Sequence, residues 1–179
     1  MTVALHPRPK PINRPTPMSS HRSLITDHSA LLDTYLRASF AKRYQPGEHD
    51  CVLFIAAWAD LISGSNHVDF IRDTYRTHFE GLRRHVGKGS TISTAVQARL
   101  LAAGWELVTD AGNYQTGDII LTDGDHPGIW RGKSIVATAF GFAGHAYLHR
   151  RHATAALRWP HGSPHSPSAV HNPVPLAVP

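Results

Sequence analysis

Cys51 is the chain's one cysteine, and it lies where a turn gives way to an apolar run: Gly47-Glu48-His49-Asp50-Cys51 is followed by Val52-Leu53-Phe54-Ile55-Ala56-Ala57-Trp58-Ala59. The length and apolarity of the run suit a buried helix that stops at Gly64. Asp50 is a good N-cap, so Cys51 falls in the first helical turn, where unpaired N–H groups and the positive end of the helix dipole favour a thiolate. A thiolate is the nucleophilic form of cysteine, and the chemistry available to it is attack on an acyl carbon.

A thiol nucleophile needs a base. The segment Gly117-Asp118-Ile119-Ile120-Leu121 leads through an acidic turn to His126-Pro127-Gly128-Ile129-Trp130-Arg131-Gly132. Pro127 pushes His126 toward extended backbone, and a histidine at the start of a paired strand is held stiffly. Spacing alone does not select His126 over His145 or His149. The His149-Arg150-Arg151-His152 run reads as a basic strand end or turn, and the 14 histidines are scattered without a His-Glu-x-x-His pattern. A single thiol excludes an intramolecular disulfide and a thiolate-rich zinc site.

The elements that must hold these groups follow from periodicity. Residues 1–22 read as a basic, proline-rich arm for docking on a partner, with Pro7, Pro9, Pro11, Pro15 and Pro17 among Arg8, Lys10 and Arg14. The arm has no continuous apolar stretch of the kind a secretory signal needs. No apolar run approaches the roughly 18 to 20 residues of a spanning helix. The folded domain is expected over 23–160. Leu31, Leu32, Tyr35, Leu36 and Phe40 mark an amphipathic helix, with Asp27 or Ser29 as its cap, and Gln45-Pro46-Gly47 breaks the chain before the cysteine. Val68 to Arg84 reads as one or two short helices, and Thr91 or Ser93 caps a further helix through Ala103, with Gly104 as its stop.

The period then changes. Trp105–Val108, Asp118–Leu121, Gly128–Arg131, Ser134–Ala139 and Ala146–Leu148 are short β-type runs whose spacing predicts an antiparallel meander. Helices first and strands after make the class α+β. Residues 161–179 form a Pro/His-rich tail, disordered or bound to a partner. The net charge of +5 is unevenly spread: all 13 acids lie between Asp27 and Asp125, so both ends are purely basic. Basic ends suit an anionic polymer or an acidic neighbouring subunit, but no interleaving of basic and stacking aromatic residues points to nucleic acid.

The Asp50-Cys51 helix start, the Gly117-Asp118 strand opening and the His126-x-Gly128-Ile129 strand resemble the NlpC-type cysteine peptidases, a relative of the papain fold. Gly47-x-His49-Asp50-Cys51, Tyr75-Arg76-Thr77-x-Phe79-Glu80-Gly81-Leu82 and Ala156-Leu157-Arg158-Trp159 are similar to an uncharacterised branch of that superfamily carried in tailed-phage and prophage tail modules. The resemblance covers roughly residues 40 to 160. It implies a papain-like domain in which the cysteine-bearing helix packs on a small antiparallel sheet, with Cys51 as nucleophile and His126 as general base.

The residue that orients the imidazole in that family falls on Val136, which accepts no hydrogen bond; Ser134 and Thr138, on the same strand face, are the expected substitutes. Val52 stands where the family commonly has serine, leaving the oxyanion donor to a backbone N–H. By the same resemblance Tyr44 lines the substrate groove, its alternative being to pack under the Pro46 turn, and Asp50 caps the helix, with binding of a substrate amine as a second role. The implied activity is cleavage of amide bonds in peptidoglycan stem peptides, with no metal or organic cofactor. The implied setting is a virion tail tip, made in the bacterial host cytoplasm and acting at the host envelope, with tail-tip or baseplate proteins as partners of the two arms. A tail-tip hub component that keeps the fold without the chemistry is the alternative.

Overall fold

A computed structural model describes residues 28–138, 141 and 143–160. Both expected terminal arms, and the Asp27 cap, lie outside the described residues. Five helices precede or flank a six-stranded sheet: α1 (His28–Phe40), α2 (Cys51–Ser63), α3 (His67–Ile71), α4 (His78–Gly81), α5 (Ile92–Ala102), β1 (Glu106–Val108), β2 (Ile119–Thr122), β3 (Gly128–Trp130), β4 (Ser134–Thr138), β5 (His145–His149) and β6 (Ala153–Arg158). The class is α+β, with every strand pair antiparallel.

The helices end where local chemistry stops them. Gly64 closes α2 in the left-handed conformation, φ 69°, with its N–H on the Asp60 carbonyl. Thr91 caps α5 through a capping box with Thr94. Between α3 and α5 the chain is irregular, and a single π-helical turn, Leu82–Val86, follows α4 directly.

The strand order is β1-β6-β2-β3-β4-β5. The expected meander therefore holds for β2 to β5, and β1 is a correction: it pairs with β6, which has inserted between β1 and β2. Leu157 on β6 lies opposite both Leu107 and Ile119. Ala153–Arg158 carries no strand signal in the sequence, because it lacks a simple alternation of apolar and polar side chains. It is buried on both sides at its centre, with Ala156 and Leu157 fully covered.

Helices α2 and α5 pack on one face of the sheet. Phe54, Ile55, Trp58, Ile92, Val96 and Leu100 meet Ile119, Leu121, Ile129, Val136 and Leu157 in the main core. Trp58 also donates its indole N–H to the Gly117 carbonyl at 2.7 Å, which ties α2 to the opening of β2. The opposite face carries a smaller cluster, Ile120, Trp130, Ile135 and Ala156, with Tyr114 set edge-on to Trp130. Gly128 is required by the approach of β4: a Cβ there would lie 2.6 Å from the Val136 carbonyl oxygen and 2.5 Å from Ile135 Cγ2.

Candidate active site

Cys51 is the first residue of α2, and the turn before it is built around Asp50. One carboxylate oxygen of Asp50 accepts from the N–H groups of Val52 and Leu53, each at 3.0 Å. The other accepts from Gly47 N–H at 2.9 Å and from the Tyr75 hydroxyl at 2.5 Å. Asp50 is 3% exposed and both its oxygens are committed to protein donors, so it is the cap of α2 and has no oxygen left for a substrate amine. Gly47 adopts φ 79°, and a Cβ there would meet the Tyr75 carbonyl oxygen at 2.0 Å. With Val52 and Leu53 N–H bound to Asp50, the Cys51 N–H is the helix-start donor left for an oxyanion.

The thiol itself is 4% exposed. Burial pushes its pKa up to about 12, the Asp50 and Asp125 carboxylates push in the same direction, and the N–H groups of Val52 and Cys51 act against them. The expectation of a helix-stabilised thiolate is corrected: the helix N-terminus acts in the predicted direction, but loss of hydration outweighs it. Cys51 faces a cavity of about 30 Å³, lined on its polar side by Tyr44, Tyr75, His78 and His85. That is room for about one water molecule. Tyr44 lines the cavity beside the thiol, and burial raises the Tyr44 hydroxyl well above its ordinary range, with Cys51 and Asp50 acting in the same sense. Its hydroxyl also lies 3.5 Å from His78 Nδ1.

His126 stands at the entrance to β3, exposed, and it is not among the residues lining the Cys51 cavity. Its loop is nevertheless fastened beside that cavity. His126 N–H donates to Thr122 Oγ1 at 3.1 Å, and Asp125 accepts from Ser93 N–H at 2.8 Å. Ser93 follows Ile92, which does line the cavity. Asp125 takes the left-handed conformation, φ 58°, and reaches the thiol electrostatically. The other two histidines that spacing allowed are occupied elsewhere. His145 Nε2 is 2.9 Å from Ser39 Oγ with its ring against Phe54 and Phe40, and His149 Nδ1 accepts from Arg151 N–H.

The strand register separates the expected orienting residues. Val136 pairs with Ile129, is fully buried, and has no polar atom to offer. Ser134 is a correction: its carbonyl takes the Arg131 N–H, five residues past His126, about 16 Å away at a rise of about 3.3 Å per residue. Extending the Ile129–Val136 pairing two places sets Thr138 across from Pro127, next to His126. Thr138 is buried, and among the described residues its Oγ1 has no hydrogen-bond partner. No three His, Cys, Asp or Glu side chains converge as a metal site requires among the described residues.

A family model described as a domain of unknown function, DUF6950, matches residues 24–159. The chain belongs to that family. No curated protein and no solved structure matched. The DUF6950 span includes every motif quoted from the sequence, and the structure gives those motifs structural work. Tyr75 holds Asp50. Thr77 caps α4, and Gly81 lets the Tyr75 ring lie flat against the chain, since a Cβ there would sit 2.9 Å from it. At the other end of the DUF6950 domain, Arg158 grips Asp118 through two bonds, at 2.9 and 2.7 Å, and also donates to the Asn113 carbonyl.

His85 was not singled out from the sequence. It is remote from Cys51 in the chain and carries no motif, and only the fold of the α3–α5 segment brings it to the cavity.

Proposed function

We propose that the chain is a thiol hydrolase of the bacterial cell wall, a papain-like, NlpC-type domain acting on amide bonds of peptidoglycan stem peptides within a phage tail tip. The observation that carries the reading is the setting of Cys51: a nucleophile at the mouth of a capped helix, opening on a small cavity lined by imidazole and phenol groups. The substrate class and the setting rest on the resemblance of the Cys51 and His126 motifs to that peptidase superfamily.

In the proposed reaction an imidazole takes the Cys51 S–H proton as the sulfur attacks the substrate carbonyl, the Cys51 N–H holds the oxyanion, and the amine departs with the proton that imidazole took up. Water, deprotonated by the same imidazole, then releases the acyl group. The resemblance gives the part of that imidazole to His126, whose loop is fastened beside the cavity through Asp125 and Ser93, with the Thr138 hydroxyl, unpartnered among the described residues, as its proposed orienting group. Exposure of His126 and burial of Cys51 mean that a substrate must displace the side chains around the thiol, Tyr44 among them.

Purified full chain and its Cys51→Ala variant are to be compared on muropeptides, with released amines read by mass spectrometry. Turnover in the parent, reduced at least a thousandfold in the variant, supports the reading. Equal turnover in both, or none in either, overturns it. A second reading, a tail-tip hub component that keeps the fold without turnover, is favoured by the 4% exposure of the thiol and by the apolar Val136.

A further inference from the structure

His85 lines the Cys51 cavity together with Tyr44, Tyr75 and His78. Its Nε2 lies 2.6 Å from Thr74 Oγ1, and the Thr74 hydroxyl donates its one hydrogen to the Ile71 carbonyl at 2.6 Å. Thr74 can therefore only accept from His85, so the imidazole carries its proton on Nε2 and leaves Nδ1 with a free lone pair. The ring is braced edge-on by Tyr75, at 5.5 Å between centroids, and by Phe70 at 6.0 Å.

We propose that His85, set in this tautomer by Thr74, takes the part that the resemblance gives to His126 and is the proton acceptor that ionises Cys51. The proposal rests on the reading of Cys51 as the reacting group. The S–H bond breaks as a proton moves across the shared cavity to His85 Nδ1 through a water, for which the cavity has room, and a thiolate–imidazolium pair results. The two charges form together, so the imidazolium offsets the cost that burial and Asp50 impose on a lone thiolate. His78 lines the same cavity but is exposed and lacks such a brace.

The groups that act on His85 are Arg84 on its own turn, Arg99 from α5, Asp50 at the start of α2, the Thr74 hydroxyl and the Tyr75 ring. Burial and the two arginines keep the imidazole neutral near pH 7, the form that accepts a proton; Asp50 acts in the opposite sense.

Alkylation of Cys51 by iodoacetamide tests this without any substrate. The thiolate forms the S–C bond, iodide leaves, and the thiol proton remains on His85 until it exchanges with water. Rates are to be measured between pH 5 and 10 on the full chain and on the His85→Gln, Thr74→Val and His78→Gln variants, with near-ultraviolet circular dichroism as the folding check. His85→Gln is expected to slow alkylation at pH 7.5 at least tenfold and to abolish the inflection at the acidic end of the profile. Thr74→Val is expected to shift that inflection while keeping it, and His78→Gln to slow alkylation by less than His85→Gln without moving the inflection.

An unchanged profile in His85→Gln, or an equal loss in His78→Gln, overturns the proposal. Should His85→Gln fail to fold, Thr74→Val keeps the imidazole in place, and an unmoved inflection there is equally fatal. His85-dependent alkylation without muropeptide turnover sinks the hydrolase and spares the proton acceptor. Turnover with a His85-independent profile does the reverse.

Discussion

Replacing Asp50 with alanine removes four hydrogen bonds at once, and their geometry sets the size of the loss. The Val52 and Leu53 N–H groups lose their helix cap, at about 1 kcal/mol. Gly47 N–H and the Tyr75 hydroxyl lose a charged acceptor in a buried setting, at about 1.5 kcal/mol or more each. The sum is about 4 kcal/mol, most of the margin of a small domain. Asp50→Asn keeps one acceptor oxygen for the helix start but turns an NH₂ toward Gly47 N–H, at about half that cost.

Urea unfolding followed by tryptophan fluorescence reads the loss. At a slope of about 2 kcal/mol/M the midpoint falls by about 2 M for Asp50→Ala and about 1 M for Asp50→Asn. A shift under about 0.5 M for the alanine variant, or an asparagine variant less stable than it, would refute the claim that this carboxylate organises the turn.

Gly47→Ala combines a left-handed φ with a Cβ placed 2.0 Å from a carbonyl oxygen, and it should destabilise by more than about 3 kcal/mol; soluble protein melting within a few degrees of the parent would contradict this. Arg158→Ala leaves the 4%-exposed Asp118 without its partner, and a loss of about 3 kcal/mol is expected from urea midpoints, exceeding that of the double variant Asp118→Asn/Arg158→Met. His49, His67, His85 and His145 are all held below the usual histidine pKa, in each case chiefly by burial. The unfolded chain therefore binds protons first as pH falls below about 7, so stability is full above that pH and lost toward pH 5. Calorimetry at pH 7.5 and 5.5 should show a lower melting temperature in acid, with a smaller drop in His67→Leu; a temperature that holds or rises on acidification would reverse the sign.

Some of this was legible in the sequence because it is local. The Asp50 cap, the apolar α2 with its Gly64 stop, the Thr91 cap and four neighbouring strands each depend on residues within a few positions of one another. Gly128 belongs to the motif His126-x-Gly128-Ile129, but its reason is tertiary: the Val136 carbonyl on the next strand leaves no room for a Cβ.

Order along the chain could not reveal that β6 returns to lie between β1 and β2, since that pairing is made across the sheet. Nor could it show that Ser134 lies across from Arg131, away from His126, because that depends on register. The acidity of the thiol turned on the same distinction: a helix start reads from sequence as a place for charge, but the burial that outweighs it exists only once α2, α5 and the Tyr75 segment have closed around Cys51. What the sequence by itself determined is where α2 starts and stops, where α5 is capped, and that one cysteine heads a buried helix. Which imidazoles come near that cysteine, and how dry its surroundings are, was decided by packing between segments far apart in the chain.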